Sequence, residues 1–263
     1  MKRTKLMLCI LTVFMSVILI SNFSKADDDF TTAIMKAKTA LKTAENNSTE
    51  KELLKVRGNF ERLLQLKKNT WLVNYYLAVC DLDIAGANYY PLNKDAIKKY
   101  TESGLALVNK SIDEKSDFSD SYVLKLSLEF NRWQYEPEMM NDIIAASKTA
   151  EDMGLKYDPT NPRYYLVKGI SLLYMPEQFG GGAENSLSML ETSEKYFNTI
   201  KAVDKTYPDW GIEKLYGFQA LGYHKLGKNE QAIAAYTKGI TANPDSGFLK
   251  FYVKKELDTP IDK

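Results

Sequence analysis

Between Ile212 and Asp245 the chain reads IEKLYGFQALGYHKLGKNEQAIAAYTKGITANPD, and this stretch leaves little choice of architecture. Tyr216, Ala220 and Tyr223 recur at helical spacing, and so do Ala232, Ile233, Tyr236 and Ile240. Gly227 lies between the two runs, where one helix must end and a positive φ costs least in glycine. Asn229 is placed to cap the second helix, and Glu230 puts an acid in its first turn. Asn243-Pro244-Asp245 stops it, because the residue before a proline is pushed out of the helical region. Small residues (Ala220, Ala232, Gly239) alternate with aromatic ones (Tyr216, Tyr223, Tyr236), so the helices can approach closely and receive a neighbouring pair in the gaps. A lone helix pair cannot cover its own apolar face, so further pairs have to flank it.

The stretch resembles the tetratricopeptide repeat, whose period is about 34 residues. Ala220 falls on the small position of the family's first helix and Tyr223 on its following aromatic; Gly227 is the turn glycine, Ala232 and Tyr236 the small and aromatic positions of the second helix, and Pro244 the closing proline. Gly239 stands where alanine is usual and Gln219 where leucine is usual. The match is good over 212–245 and looser elsewhere. The resemblance implies an all-α fold, a right-handed α-solenoid of stacked antiparallel helix pairs. It also implies a concave groove, lined by the first helix of each pair, that takes peptides. Carried onto this chain, the inward positions are Lys214, Leu221, His224 and Lys225 in the repeat, and Arg163, Leu166, Ile170 and Tyr174 in the unit before it. There Lys214, Lys225 and Arg163 would meet an acidic group or a C-terminal carboxylate.

The rest of the chain follows the same plan. Helices are expected over Phe30 to Glu45, from a capping box at Thr49–Glu52 onward, over Trp71 to Ala85, Lys94 to Ile112, Ser121 to Trp133, Glu138 to Leu155, Arg163 to Tyr174 and Ser186 to Val203. The breaks between them are turn signals: Asn46-Asn47-Ser48, Asn88-Tyr89-Tyr90-Pro91, Glu136-Pro137 and Asp158-Pro159. Phe248 to Leu257 reads as a capping helix with a polar outer side, giving about five pairs plus a cap. No linker divides residues 27–263, which are expected to form one domain.

The first 26 residues are different material. Lys2, Arg3 and Lys5 precede an uncharged apolar run from Leu6 to Ile20, and a polar segment ends at Ser24-Lys25-Ala26, the layout of a signal peptide cleaved after about Ala26. The run is short for a membrane span, which needs about 20 apolar residues. An exported protein, periplasmic or secreted, with no stable span after cleavage is therefore expected. Removal takes away four bases and no acid, moving the formal charge from +1 to −3, which speaks against a nucleic-acid partner. Cys80 then remains alone in an apolar helical context, as a buried, inert thiol.

Candidate chemistry is thin. Gly222 to Lys228 satisfies part of a phosphate-loop pattern, but Asn229 holds the position needed for Ser or Thr and no strand precedes it. His224 is the one histidine, too few for a histidine metal site, and no nucleophile elbow accompanies it, so neither an enzyme nor a metal or cofactor protein is expected. Asp81 and Asp83 lie two apart on a helix and point to different sides. The most distinctive loop is Phe179-Gly180-Gly181-Gly182, whose backbone N–H groups could approach an anion, although Glu184 follows at the next helix start. Binding is the class that remains: an exported scaffold or adaptor holding a protein or peptide in its groove. The alternative is a periplasmic small-ligand receptor or transporter-accessory protein, suggested by the 17 tyrosines, their doublets at 75–76, 89–90 and 164–165, and the glycine loop.

Overall fold

The computed structural model describes residues 29–47, 49–200 and 204–260. Helix α1 spans 29–47, followed by α2 (Glu50–Leu63), α3 (Thr70–Ala87), α4 (Lys94–Glu114), α5 (Ser119–Asn131), α6 (Met140–Tyr157), α7 (Pro162–Tyr174), α8 (Ala183–Phe197), α9 (Ile212–Lys225) and α10 (Asn229–Ala242). A π-helical turn, Phe248–Val253, runs into α11 (Lys254–Leu257) and closes the end. Successive helices pack as antiparallel pairs, so the fold is all-α, as the repeat implies. The signal segment 1–26 lies outside the described residues, and no described helix is long and apolar enough to cross a membrane.

Two sequence rules explain most helix ends. Asn93 accepts from the Ala96 N–H at 3.1 Å, and Asn161 accepts from the Arg163 N–H at 2.9 Å with Pro162 in the first turn. At the repeat turn, Gly227 takes φ 69° while the Lys228 N–H donates back to the Tyr223 carbonyl at 2.9 Å. Other ends differ from expectation. Thr49 precedes α2 but its side chain makes no cap bond, and Lys228 rather than Asn229 stands at the cap of α10. Helix α8 stops at Phe197 instead of running on to Val203, and the Phe197 ring packs against Arg163. Residues 201–203 of that expected helix fall outside the described ones.

The core is layered along the stack. Phe30, Ile34 and Leu41 of α1 join Leu53 and Phe60 of α2 and Leu72 and Tyr76 of α3 in the largest cluster. Within it the Phe60 and Tyr76 rings stack at 5.2 Å. Helix α3 is buried almost all round, the mark of an element with neighbours on every side. Cys80 is fully buried there, as expected. At the other end Leu249 and Val253 of the π-helical turn cover Leu173, Ala220 and Leu221.

The first and last units also touch. The Asn243 amide donates to the Asn46 side-chain oxygen at 2.9 Å, and Gly247 sits so close to the Asn46 carbonyl that a Cβ there would lie 2.2 Å from it. Contact between units so distant in sequence closes part of the groove that an open solenoid would present.

Candidate functional site

The amino-terminal ends of the inner helices α3, α5, α7 and α9 face the connection 204–211, between α8 and α9. Asp204 folds this connection by accepting from both the Thr206 N–H and hydroxyl at 2.8 Å. Its carbonyls are then captured one after another. Lys38 of α1 donates to Lys205 O and Tyr207 O, each at 2.6 Å, and its third N–H direction faces Asp209 Oδ1 at 3.3 Å. The Tyr76 hydroxyl donates to Thr206 O at 2.8 Å. Arg163 donates to Pro208 O and, at 3.1 Å, to Trp210 O, while its remaining nitrogen faces Asp120 at 3.4 Å. The Tyr207 ring lies edge-on between Trp71 and Phe118, and the Trp210 indole N–H donates to the Tyr75 hydroxyl at 2.9 Å. What remains of the cleft is about 70 Å³, lined by Lys38, Leu41, Glu45, Tyr76 and Trp210 among others. That is room for a water or two.

Burial sets the protonation chemistry of these groups. It pulls Lys38 below the ordinary lysine range, with Asp209 opposing; it pushes Asp120 up, with Arg163 drawing it back. Beside the connection, Lys214 of α9 lies 3.6 Å from both Glu45 of α1 and Asp83 of α3. Burial, then the neighbouring Asp83 carboxylate, push Glu45 up to about 8 against the pull of Lys214. Burial disfavours the Lys214 charge, but Asp83 and Glu45 outweigh it and hold the ammonium above its usual range.

A carboxyl whose folded pKa lies above its unfolded value adds stability that is complete below the unfolded pKa, about 4.3, and is lost as pH rises through the folded one. The melting temperature is therefore expected to fall between about pH 5 and pH 9, and Glu45→Gln, which keeps the neutral form, to flatten that fall. Parallel profiles for the two proteins would show that Glu45 does not titrate in this range.

The expected site residues have different fates. Arg163, 4% exposed, and Lys214 are spent inside the chain, on the connection and on the Glu45–Asp83 pair. Leu221 is buried in the core between α7, α9 and the cap rather than facing the groove. His224 lies against the carboxyl-terminal tail, its Nε2 3.1 Å from Thr259 O. Tyr174 and Lys225 do come together: Lys225 donates to Leu173 O at 3.2 Å, and its ammonium stands 5.2 Å from the Tyr174 ring centre. In the glycine loop the three N–H groups are used internally. Gly180 donates to Glu177 O at 2.8 Å, Gly181 to Pro176 O at 3.2 Å and Gly182 to Leu172 O at 2.9 Å, which leaves no anion cradle.

Around Tyr174 the carboxyl-terminal ends of the inner helices form an aromatic rim. The Tyr174 and Tyr252 hydroxyls are 3.1 Å apart, Tyr252 stacks on Phe248, and Phe248 meets Phe218. Tyr90, 84% exposed on the α3–α4 loop, lies near enough to raise both tyrosines electrostatically, although burial is the main cause of each upward shift. Tyr174 itself is 54% exposed, and Phe179, five residues on, is 70% exposed. Sequence reasoning named Tyr174, Phe179 and the doublet that contains Tyr90, but not Tyr252, which comes from the carboxyl-terminal cap. A second open surface, a trough of about 720 Å³, runs between α8, α9 and α10, lined by Phe197, Ile212, Tyr216 and Lys238 among others.

No protein-family model matches the chain, and no curated protein matches it. Solved structures do share its fold. The HusA haemophore from Porphyromonas gingivalis is 23% identical with a TM-score of 0.62, over 73% of this chain and 92% of that one. TTC0263, a thermophilic tetratricopeptide protein of Thermus thermophilus, is 13% identical with a TM-score of 0.57, over 84% of this chain and 98% of that one.

Proposed function

We propose that the protein is an exported carrier of a flat, largely apolar small molecule of the porphyrin class, bound on the rim formed by Tyr90, Tyr174 and Tyr252. The solved relatives fix a tetratricopeptide-like helical repeat fold, and at these identities they fix no more than that. The observation that carries the carrier reading is the division of the inner surface. Its amino-terminal half is filled by the chain's own residues 205–210, while the aromatic faces that stay in solvent gather at the opposite end beside Lys225. Exposed tyrosine faces suit a planar conjugated ligand, and a lysine beside them suits its carboxylates. The fold likeness to a haemophore supports haem as the first ligand to test.

The same residues indicate how haem would be held. The Tyr174 and Tyr252 hydroxyls are engaged with one another at 3.1 Å, which favours contact through the rings over ligation of iron by a phenolate. Titration of residues 27–263 with ferric haem and with metal-free protoporphyrin is expected to give saturable binding of both at similar affinity. The Tyr174→Ala/Tyr252→Ala pair should weaken both by about tenfold or more, roughly 1.4 kcal/mol. Absence of binding, or binding unchanged in the double variant, counts against the rim.

A protein partner is the second reading, favoured by the open trough between α8 and α10 and not by the inner groove. Charge reversal at Lys238 together with Tyr216→Ala would weaken such a partner without touching the rim.

A further inference from the structure

We propose that residues 204–211 are an intramolecular ligand. The amino-terminal half of the inner groove is a site for a peptide held by its main-chain carbonyls, and the α8–α9 connection is the peptide that occupies it. The carbonyls of residues 205, 206, 207, 208 and 210 all accept hydrogen bonds from side chains that belong to other elements: Lys38 of α1, Tyr76 of α3 and Arg163 of α7. A connection that merely joined two helices would satisfy its carbonyls from its own backbone or from water. Here the donors are an ammonium, a phenol and a guanidinium that are buried with the segment in place, and the two charged ones make the stronger class of hydrogen bond to main-chain oxygens.

The site also reads side chains. Tyr207 sits against Trp71 and Phe118, and Trp210 hangs its indole N–H on the Tyr75 hydroxyl. Asp209, between them, is 78% exposed in its side chain and pairs with the Lys38 ammonium at 3.3 Å. The recognised chemistry is therefore an aromatic residue, a proline, an acidic position that pairs with Lys38 and a second aromatic, following a turn at 205–206. Covalent attachment gives the resident segment an effective concentration of roughly millimolar or above, enough to exclude a free peptide of ordinary affinity. A peptide from outside enters this half of the groove only when the resident segment leaves.

The test uses a labelled synthetic peptide of residues 204–211 added to the protein spanning 27–263. Wild type is expected to leave the peptide unbound. A Tyr207→Ala/Trp210→Ala variant, which loosens the resident segment, is expected to bind it at least tenfold more tightly. Adding Tyr76→Phe, which deletes one carbonyl donor, should reverse part of that gain. A folded double variant that ignores the peptide, or that binds a scrambled one equally, overturns the proposal. Should the double variant not fold, amide exchange on the wild type decides. An intramolecular ligand opens in exchange experiments before the body of the protein, so protection at 205–210 that is lost only with global unfolding makes the segment ordinary core and overturns the proposal. None of these readouts involves the tyrosine rim, so the outcome is independent of haem binding.

Discussion

Arg163→Ala is expected to lower the free energy of unfolding by about 3–5 kcal/mol, the range for breaking a buried charge pair from one side. For a chain of this size that corresponds to a fall in melting temperature on the order of 10 °C. The guanidinium is buried and every part of it is used. It donates to two carbonyls of the connection, faces the buried Asp120 at 3.4 Å, and stands over the Phe197 and Trp210 rings at 5.8 and 5.3 Å. Alanine leaves Pro208 O and Trp210 O without a donor and Asp120 without a counter-charge. The carboxyl of Asp120, already raised by burial, then rises further and is carried into the folded state as a neutral acid at additional cost. Arg163→Lys should recover only part of the loss, since an ammonium cannot span both carbonyls and the carboxylate in one plane. Urea denaturation and a thermal melt measure the effect; a loss below about 1 kcal/mol would mean that the arginine does not hold the connection.

How far these contacts could be read in advance depends on their range along the chain. Helical pairing rests on neighbours three and four residues apart, so the repeat at 212–245 and the opposite directions of Asp81 and Asp83 were legible. Asp81 does turn to Arg57 and Ser103, and Asp83 to Lys214. Lys38 and the Tyr207 carbonyl are 169 residues apart, and no spacing rule links them. Arg163 and Lys214 are expected from the repeat to meet a partner's acidic group, and no spacing rule shows that their own partners already lie within the chain. Leu221 fell to the opposite error: at its position α9 meets both α7 and the cap, and the apolar side chain is covered rather than presented. The same limit applies to the rim, where Tyr174 and Tyr252 meet across 78 residues.

Lys38→Met should behave differently from Arg163→Ala although it acts on the same segment. Methionine keeps the length and burial of the side chain and removes only the charge and its donors. Lys205 O and Tyr207 O lose their partner, a cost of about 1–3 kcal/mol for each buried acceptor. Against this stands the desolvation of the ammonium, which burial already opposes strongly enough to pull its pKa down, and which methionine avoids. The expected net loss is therefore about 2–4 kcal/mol, below the sum of the two orphaned acceptors. Its second effect is positional. Lys38 fastens α1 to the connection, so Lys38→Met should raise protease sensitivity first within α1, whereas Arg163→Ala should raise it first around 204–211. Because both side chains hold one segment, the double variant should lose less than the two single losses added together, by at least about 0.5 kcal/mol. Once either anchor is gone the segment is partly released, and the second anchor has less left to hold. Strict additivity in that cycle would show that α1 and α7 grip the connection independently, and that residues 204–211 do not leave the groove as a unit.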